Sequence, residues 1–66
     1  MFRIDFGSYD DNQNFNWKMI REIMIGDNYN VIDLGEITFK SKDEINDVLE
    51  KINPYIDKSV VSVVEN

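Results

Sequence analysis

Between Ser41 and Ile56 the chain carries the pattern that leaves it least conformational freedom. Ser41 followed three residues later by Glu44 is a capping box. The hydroxyl accepts from the N–H of residue 44, and the carboxylate reaches back to the N–H of residue 41. Ile45, Val48, Leu49, Ile52 and Ile56 then recur at i, i+3, i+4, i+7 and i+11, the apolar stripe of an amphipathic helix. Pro54 disfavours helical backbone at Asn53, so the spacing predicts a helix from Ser41 that stops near Ile52–Asn53, with 54–57 adding one further turn. Such a helix must bury its apolar face. The rest of the chain offers mainly strand formers, since fifteen Ile and Val stand against two Leu and no Ala.

In residues 2–9, Phe2, Ile4 and Phe6 alternate with Arg3 and Asp5, the period of a half-buried strand. Asp10 to Asn14 break it with turn formers. Residues 15–25 read two ways. As a helix, Trp17, Met19, Ile20, Ile23 and Met24 form a stripe opposite Lys18, Arg21 and Glu22, and Gly26 falls at the left-handed position beyond the end. As a strand, Phe15, Trp17, Met19, Ile23 and Ile25 alternate, and the segment pairs with 2–9 as a hairpin. After a turn at 26–28, residues 29–40 read as one long or two short strands, with Gly35 at a bulge or bend. The last segment, Ser59 to Val64, is apolar at both parities. It suits a central strand or one paired at an interface, with Lys58 and Glu65 as charged gatekeepers.

The expected architecture is a single α+β domain over residues 1–66. It has a small, mostly antiparallel sheet of three to four strands with one or two helices on one face, in the order β-α-β-β-α-β. The alternative is β-β-β-α-β.

The chain carries 7 basic and 13 acidic residues, a formal charge of −6, and neither Cys nor His. That excludes disulfides, thiol and imidazole catalysis and the usual zinc sites. The basic residues are scattered, and each half of the chain sums to −3 (three basic and six acidic in 1–33, four and seven in 34–66). Direct nucleic-acid binding is therefore not expected, and a charged partner should itself be basic. No segment reads as a signal peptide or membrane span, so the expected setting is the cytoplasm of a bacterium or infected host cell, without membrane contact.

Asp10, Asn12 and Asn14 open like a calcium loop, but Phe15 and Arg21 stand where the EF-hand needs Gly and Glu. The pairs Asp10/Asp11 and Asp43/Glu44 lie in loops or on a solvent face, where no raised carboxylate pKa is expected. Ser8, Ser41, Ser59 and Ser62 have no base. Neither catalysis nor a cofactor nor a metal is expected.

Asp43, Asp47 and Glu50 recur at i, i+4 and i+7 along one helix stripe. With Glu36, Asp57 and the Asp10/Asp11 turn they can form an extended negative surface of the DNA-mimic kind; the competing reading is an ordinary solvated face, since Lys42 and Lys51 interrupt the stripe. Trp17 and Tyr29 are candidate aromatic anchors for a partner, Tyr29 being expected to lie exposed between two Asn. Val60, Val61, Val63 and Val64 are candidates for a homodimer interface, because a small domain gains from oligomerising. The expected function is thus that of a non-catalytic acidic protein acting by protein–protein contact. In size, acidity and lack of reactive side chains it resembles phage or mobile-element inhibitors of host defence or nucleic-acid-processing proteins. The alternatives are a self-assembling structural subunit and a small regulatory domain of a larger complex.

Overall fold

The computed structural model describes every residue from Met1 to Asn66. Its order is β1 (Phe2–Asp5), α1 (Trp17–Gly26), α2 (Lys42–Ile52) and β2 (Ser62–Glu65), with 3₁₀ turns at Leu34–Glu36 and Asn53–Tyr55. The α+β class holds. The sheet has two strands, not three or four, and they come from opposite ends of the chain: β1 pairs antiparallel with β2, Arg3 opposite Val64 and Ile4 opposite Val63.

Residues 29–40 do not form the expected strands. Asn30 Oδ1 accepts from the N–H of Ile32 (3.2 Å), and Asp33 Oδ1 accepts from that of Gly35 (3.1 Å). Short polar side chains have captured backbone donors that a ladder needs, and Leu34–Glu36 closes into a 3₁₀ turn. Only Phe39 reaches the sheet. Its N–H and C=O exchange hydrogen bonds of 2.7 and 2.9 Å with Phe2, forming an isolated bridge on the other side of β1. The apolar residues of this segment are loop side chains dropping into the core: Leu34, Ile37 and Phe39 are all buried.

The ambiguous segment 15–25 is helical, which removes the β-β-β-α-β alternative. Asn16 caps α1, its side chain accepting from the N–H of Met19 at 3.2 Å. Gly26 remains within the helix. The left-handed residue is Asn28 (φ 69°), and the N–H of Tyr29 turns back to Met24 O at 3.0 Å, a Schellman-type ending. Helix α2 forms with Ser41 Oγ accepting from the N–H of Glu44 and ends at Ile52 as expected. Asn53 keeps helical backbone (φ −49°, ψ −42°) despite Pro54, because the chain tightens there into the 3₁₀ turn that holds Pro54. β1 is shorter than the expected 2–9. Beyond it, Asp5 Oδ1 accepts from Gly7 N–H (2.9 Å) and Gly7 adopts φ +82°.

Ile4 from the inner face of β1, Ile20 and Met24 of α1, and Ile45, Val48 and Ile52 of α2 belong to one cluster of eleven buried apolar residues. Leu49 and Ile56, expected in the same stripe, are only half-buried. Because β1 carries the core contact, β2 lies at its margin: the Val60 and Val61 stretch belongs to the turn before it, and Val63 remains 40 % exposed.

Candidate functional site

The carboxylates divide by what they do inside the molecule. Asp5, Asp11, Asp33, Glu44 and Asp57 accept from nearby backbone N–H groups. Asp10 accepts from Gln13, and Asp27 pairs with Lys51 at 2.9 Å. These seven organise turns and helix ends. Glu22, Glu36, Asp43, Asp47, Glu50 and Glu65 have no such internal partner. Half of those six form one stripe on α2.

That stripe arises directly from helical periodicity. At about 100° per residue, Asp43, Asp47 and Glu50 project roughly opposite to Ile45, Val48 and Ile52, and all three are exposed. Lys51 does not neutralise them, because its ammonium is held by both carboxylate oxygens of Asp27 (2.9 and 3.0 Å), beyond the end of α1. Glu36 is exposed on the 3₁₀ turn packed against β1. Asp57 and the Asp10/Asp11 turn serve local hydrogen bonds, so the negative surface centres on α2.

The flank of α2 facing the loop after α1 is built differently. Tyr29 is half-buried rather than exposed, packs on Phe39 (centroids 5.2 Å apart) and donates from Oη to Glu44 Oε1 at 2.6 Å. Burial first, and then this hydrogen bond, push its phenol from the ordinary 10 up to about 12. The Tyr29 hydroxyl chiefly, then the N–H of Lys40, hold the Glu44 carboxyl below the ordinary range. The capping box is therefore re-routed: Glu44 Oε2 takes the N–H of Lys40 (3.1 Å) rather than that of Ser41. Asp57 is lowered in the same sense by the Ser59 hydroxyl and N–H. Tyr29 is thus engaged internally and is no free anchor.

Trp17 is also half-buried, edge-on to Phe6 (5.2 Å) and tilted against Phe15 (5.5 Å). One side borders a shallow groove of about 250 Å³ shared with Arg21 and Ile32. The apolar side chains that protrude most are Ile32 at 90 % and Tyr9 at 80 % exposed. Ile32 lies in the stretch expected to be strand, where a β-branched residue reads as a sheet former. A second groove of about 490 Å³ runs between α2 and the stretch before β2, with Leu49, Ile56, Lys58 and Val61 in its walls. No cluster of acidic side chains forms a metal-binding group, and no helix is long and apolar enough to cross a membrane. No family model, curated protein or solved structure matches this chain.

Proposed function

We propose that the chain is a non-catalytic binding protein that docks on a basic protein surface through the outer stripe of α2. The observation that carries this reading is the division of the carboxylates. Asp43, Asp47 and Glu50 share one exposed helix face and have no hydrogen-bond or ion-pair duty within the fold, whereas their neighbour Glu44 and the nearby Asp27 do. Unengaged like charges on one rigid helix make a field that steers a basic partner and fixes its register. A partner whose own ligand is a polyanion, such as a nucleic-acid-processing protein, offers the complementary groove, and filling that groove excludes the nucleic acid.

The test is a pull-down from host lysate at low and moderate salt, with the Asp43→Lys/Asp47→Lys/Glu50→Lys variant alongside. The expected outcome is a basic protein retained at low salt, released at moderate salt, displaced by duplex DNA, and bound at least about tenfold more weakly by the folded variant. Undiminished capture of that protein by the variant would refute the docking face.

A further inference from the structure

The outer edge of β2 is chemically unfinished. Phe2 gives both its N–H and its C=O to Phe39, and the N–H of Asn66 donates to Met1 O at 2.9 Å. With the register of Arg3 opposite Val64, the pairs that exchange ladder bonds are therefore 1–66, 3–64 and 5–62. The N–H and C=O groups of Val63 and Glu65 consequently point away from β1, and no hydrogen bond outside the ladder reaches them. The adjoining surface is open as well. Val63 shares the inner face with fully buried Ile4 but is 40 % exposed, because α2 roofs β1 and leaves the groove of Leu49, Ile56 and Val61 beside it.

We propose that two copies of the chain join through this edge, β2 against β2, antiparallel about a two-fold axis at Val63. Only registers that set odd-numbered residues opposite odd-numbered ones match the outward groups. Centring on Val64 or Glu65 sets the two Glu65 carboxylates diagonally or directly opposite each other, and centring on Ser62 or Val61 runs into the turn at 58–60. Centring on Val63 lets the two Val63 residues exchange N–H and C=O, and sets Glu65 opposite the partner's Val61. Glu65 lies on the inner face, opposite Phe2. There it meets the end of the groove that holds the partner's Lys58, a cation with no ion pair in its own chain. Symmetry makes the Lys58–Glu65 pair twice, so the edge is complementary in charge to itself although the whole chain is at −6.

The two-stranded sheet becomes four continuous strands. An axis perpendicular to that sheet keeps both α2 helices on one side, so their acidic stripes face outward from a common surface. This association does not depend on the docking reading above; each can hold while the other fails.

A contact of about five residues from each chain is small for a specific interface, so association on the order of 100 µM is expected. Sedimentation velocity from 10 µM to 2 mM (roughly the span that brackets such a constant) should show a concentration-dependent dimer. Val63→Pro deletes the outward N–H without touching a β1–β2 bond and should leave a folded monomer. Synthetic chain N-methylated at Val63 deletes the same donor if proline perturbs the fold, and should behave alike. Lys58→Glu and Glu65→Lys should each weaken the dimer at least threefold, and their combination should restore it. A monomer throughout the range would overturn the proposal. So would a dimer indifferent to the loss of the Val63 N–H, a double charge swap as weak as its singles, or a monomer that takes up a basic extended peptide along β2.

Discussion

Tyr29 Oη donates to Glu44 Oε1 at 2.6 Å, tying the loop that leaves α1 to the first turn of α2. The same carboxylate takes the N–H of Lys40. One side chain therefore positions the approach to α2, its first turn and the aromatic packed on Phe39. Its pH consequences run in both directions. The Tyr29 phenol is raised, so its neutral form is favoured in the folded state. That contribution is complete below pH 10 and is lost as pH rises toward about 12. Glu44 and Asp57 are lowered, so their contributions are present above the ordinary carboxylate range and are lost as pH falls through their depressed folded values. Thermal melts across pH should show both losses. Tyr29→Phe should flatten the alkaline limb and lower the melting temperature at neutral pH, and phenolate absorbance should show one tyrosine of three titrating late. An unchanged alkaline limb in that variant would remove Tyr29 as its source.

Gly7 lies where no other residue fits well. Its φ is +82°, and an added Cβ would sit 3.1 Å from the carbonyl oxygen of Val60. Gly7→Ala should cost about 1–2 kcal/mol from backbone conformation, with the close contact adding to it. Urea melts should show a lower midpoint at an unchanged slope. A midpoint equal to the parent's would mean that the Gly7–Val60 contact relaxes freely.

Ile45 and Leu49 look equivalent in the stripe but differ in the fold. Ile45 is fully buried, whereas Leu49 is half-buried at the wall of a groove. A chain this size has roughly 3–10 kcal/mol of stability to lose. Ile45→Asp should unfold it by placing an unpaired carboxylate in the core. Leu49→Asp should stay folded with reduced stability, since its carboxylate reaches water in the groove. Circular dichroism and urea melts distinguish the two, and a folded Ile45→Asp protein would contradict the orientation of α2.

Ser41 Oγ accepts from Glu44 N–H at 3.2 Å. Ser41→Ala should cost about 1 kcal/mol and Ser41→Gly only a few tenths. Equal effects in denaturant titrations would mean that Glu44's bond to Lys40 already supplies the cap.

The features readable from the sequence were those fixed by local rules. The Ser41 cap, the α2 stripe and the helix end near Ile52 follow from residues within a turn or two of one another, although Asn53 stays helical ahead of Pro54. The missing strands had a different cause. The β-branched and aromatic residues between Val31 and Phe39 suit a strand, yet they also suit a loop that drops Leu34, Ile37 and Phe39 inward while Asn30 and Asp33 take the backbone donors. Tyr29 was misplaced for a similar reason: flanking Asn residues mark a turn, and only the fold brings Glu44, fifteen residues on, within reach. The α2 stripe was legible as a row of charges. That its three carboxylates have no internal duty, while seven other acids do, emerges only from the folded structure.

The pairing of Phe2–Asp5 with Ser62–Glu65 also sets an order of assembly. These strands are separated by nearly the whole sequence, so their closure carries the largest loop entropy in the molecule. The helices can collapse on each other first. During synthesis, at about 5–20 residues per second, the first strand waits several seconds for the last to emerge. Until then Ile4 and Phe6 are covered from the helix side alone, by α2 and by Trp17, and the edge of the first strand that later takes the last one stands open to foreign strands.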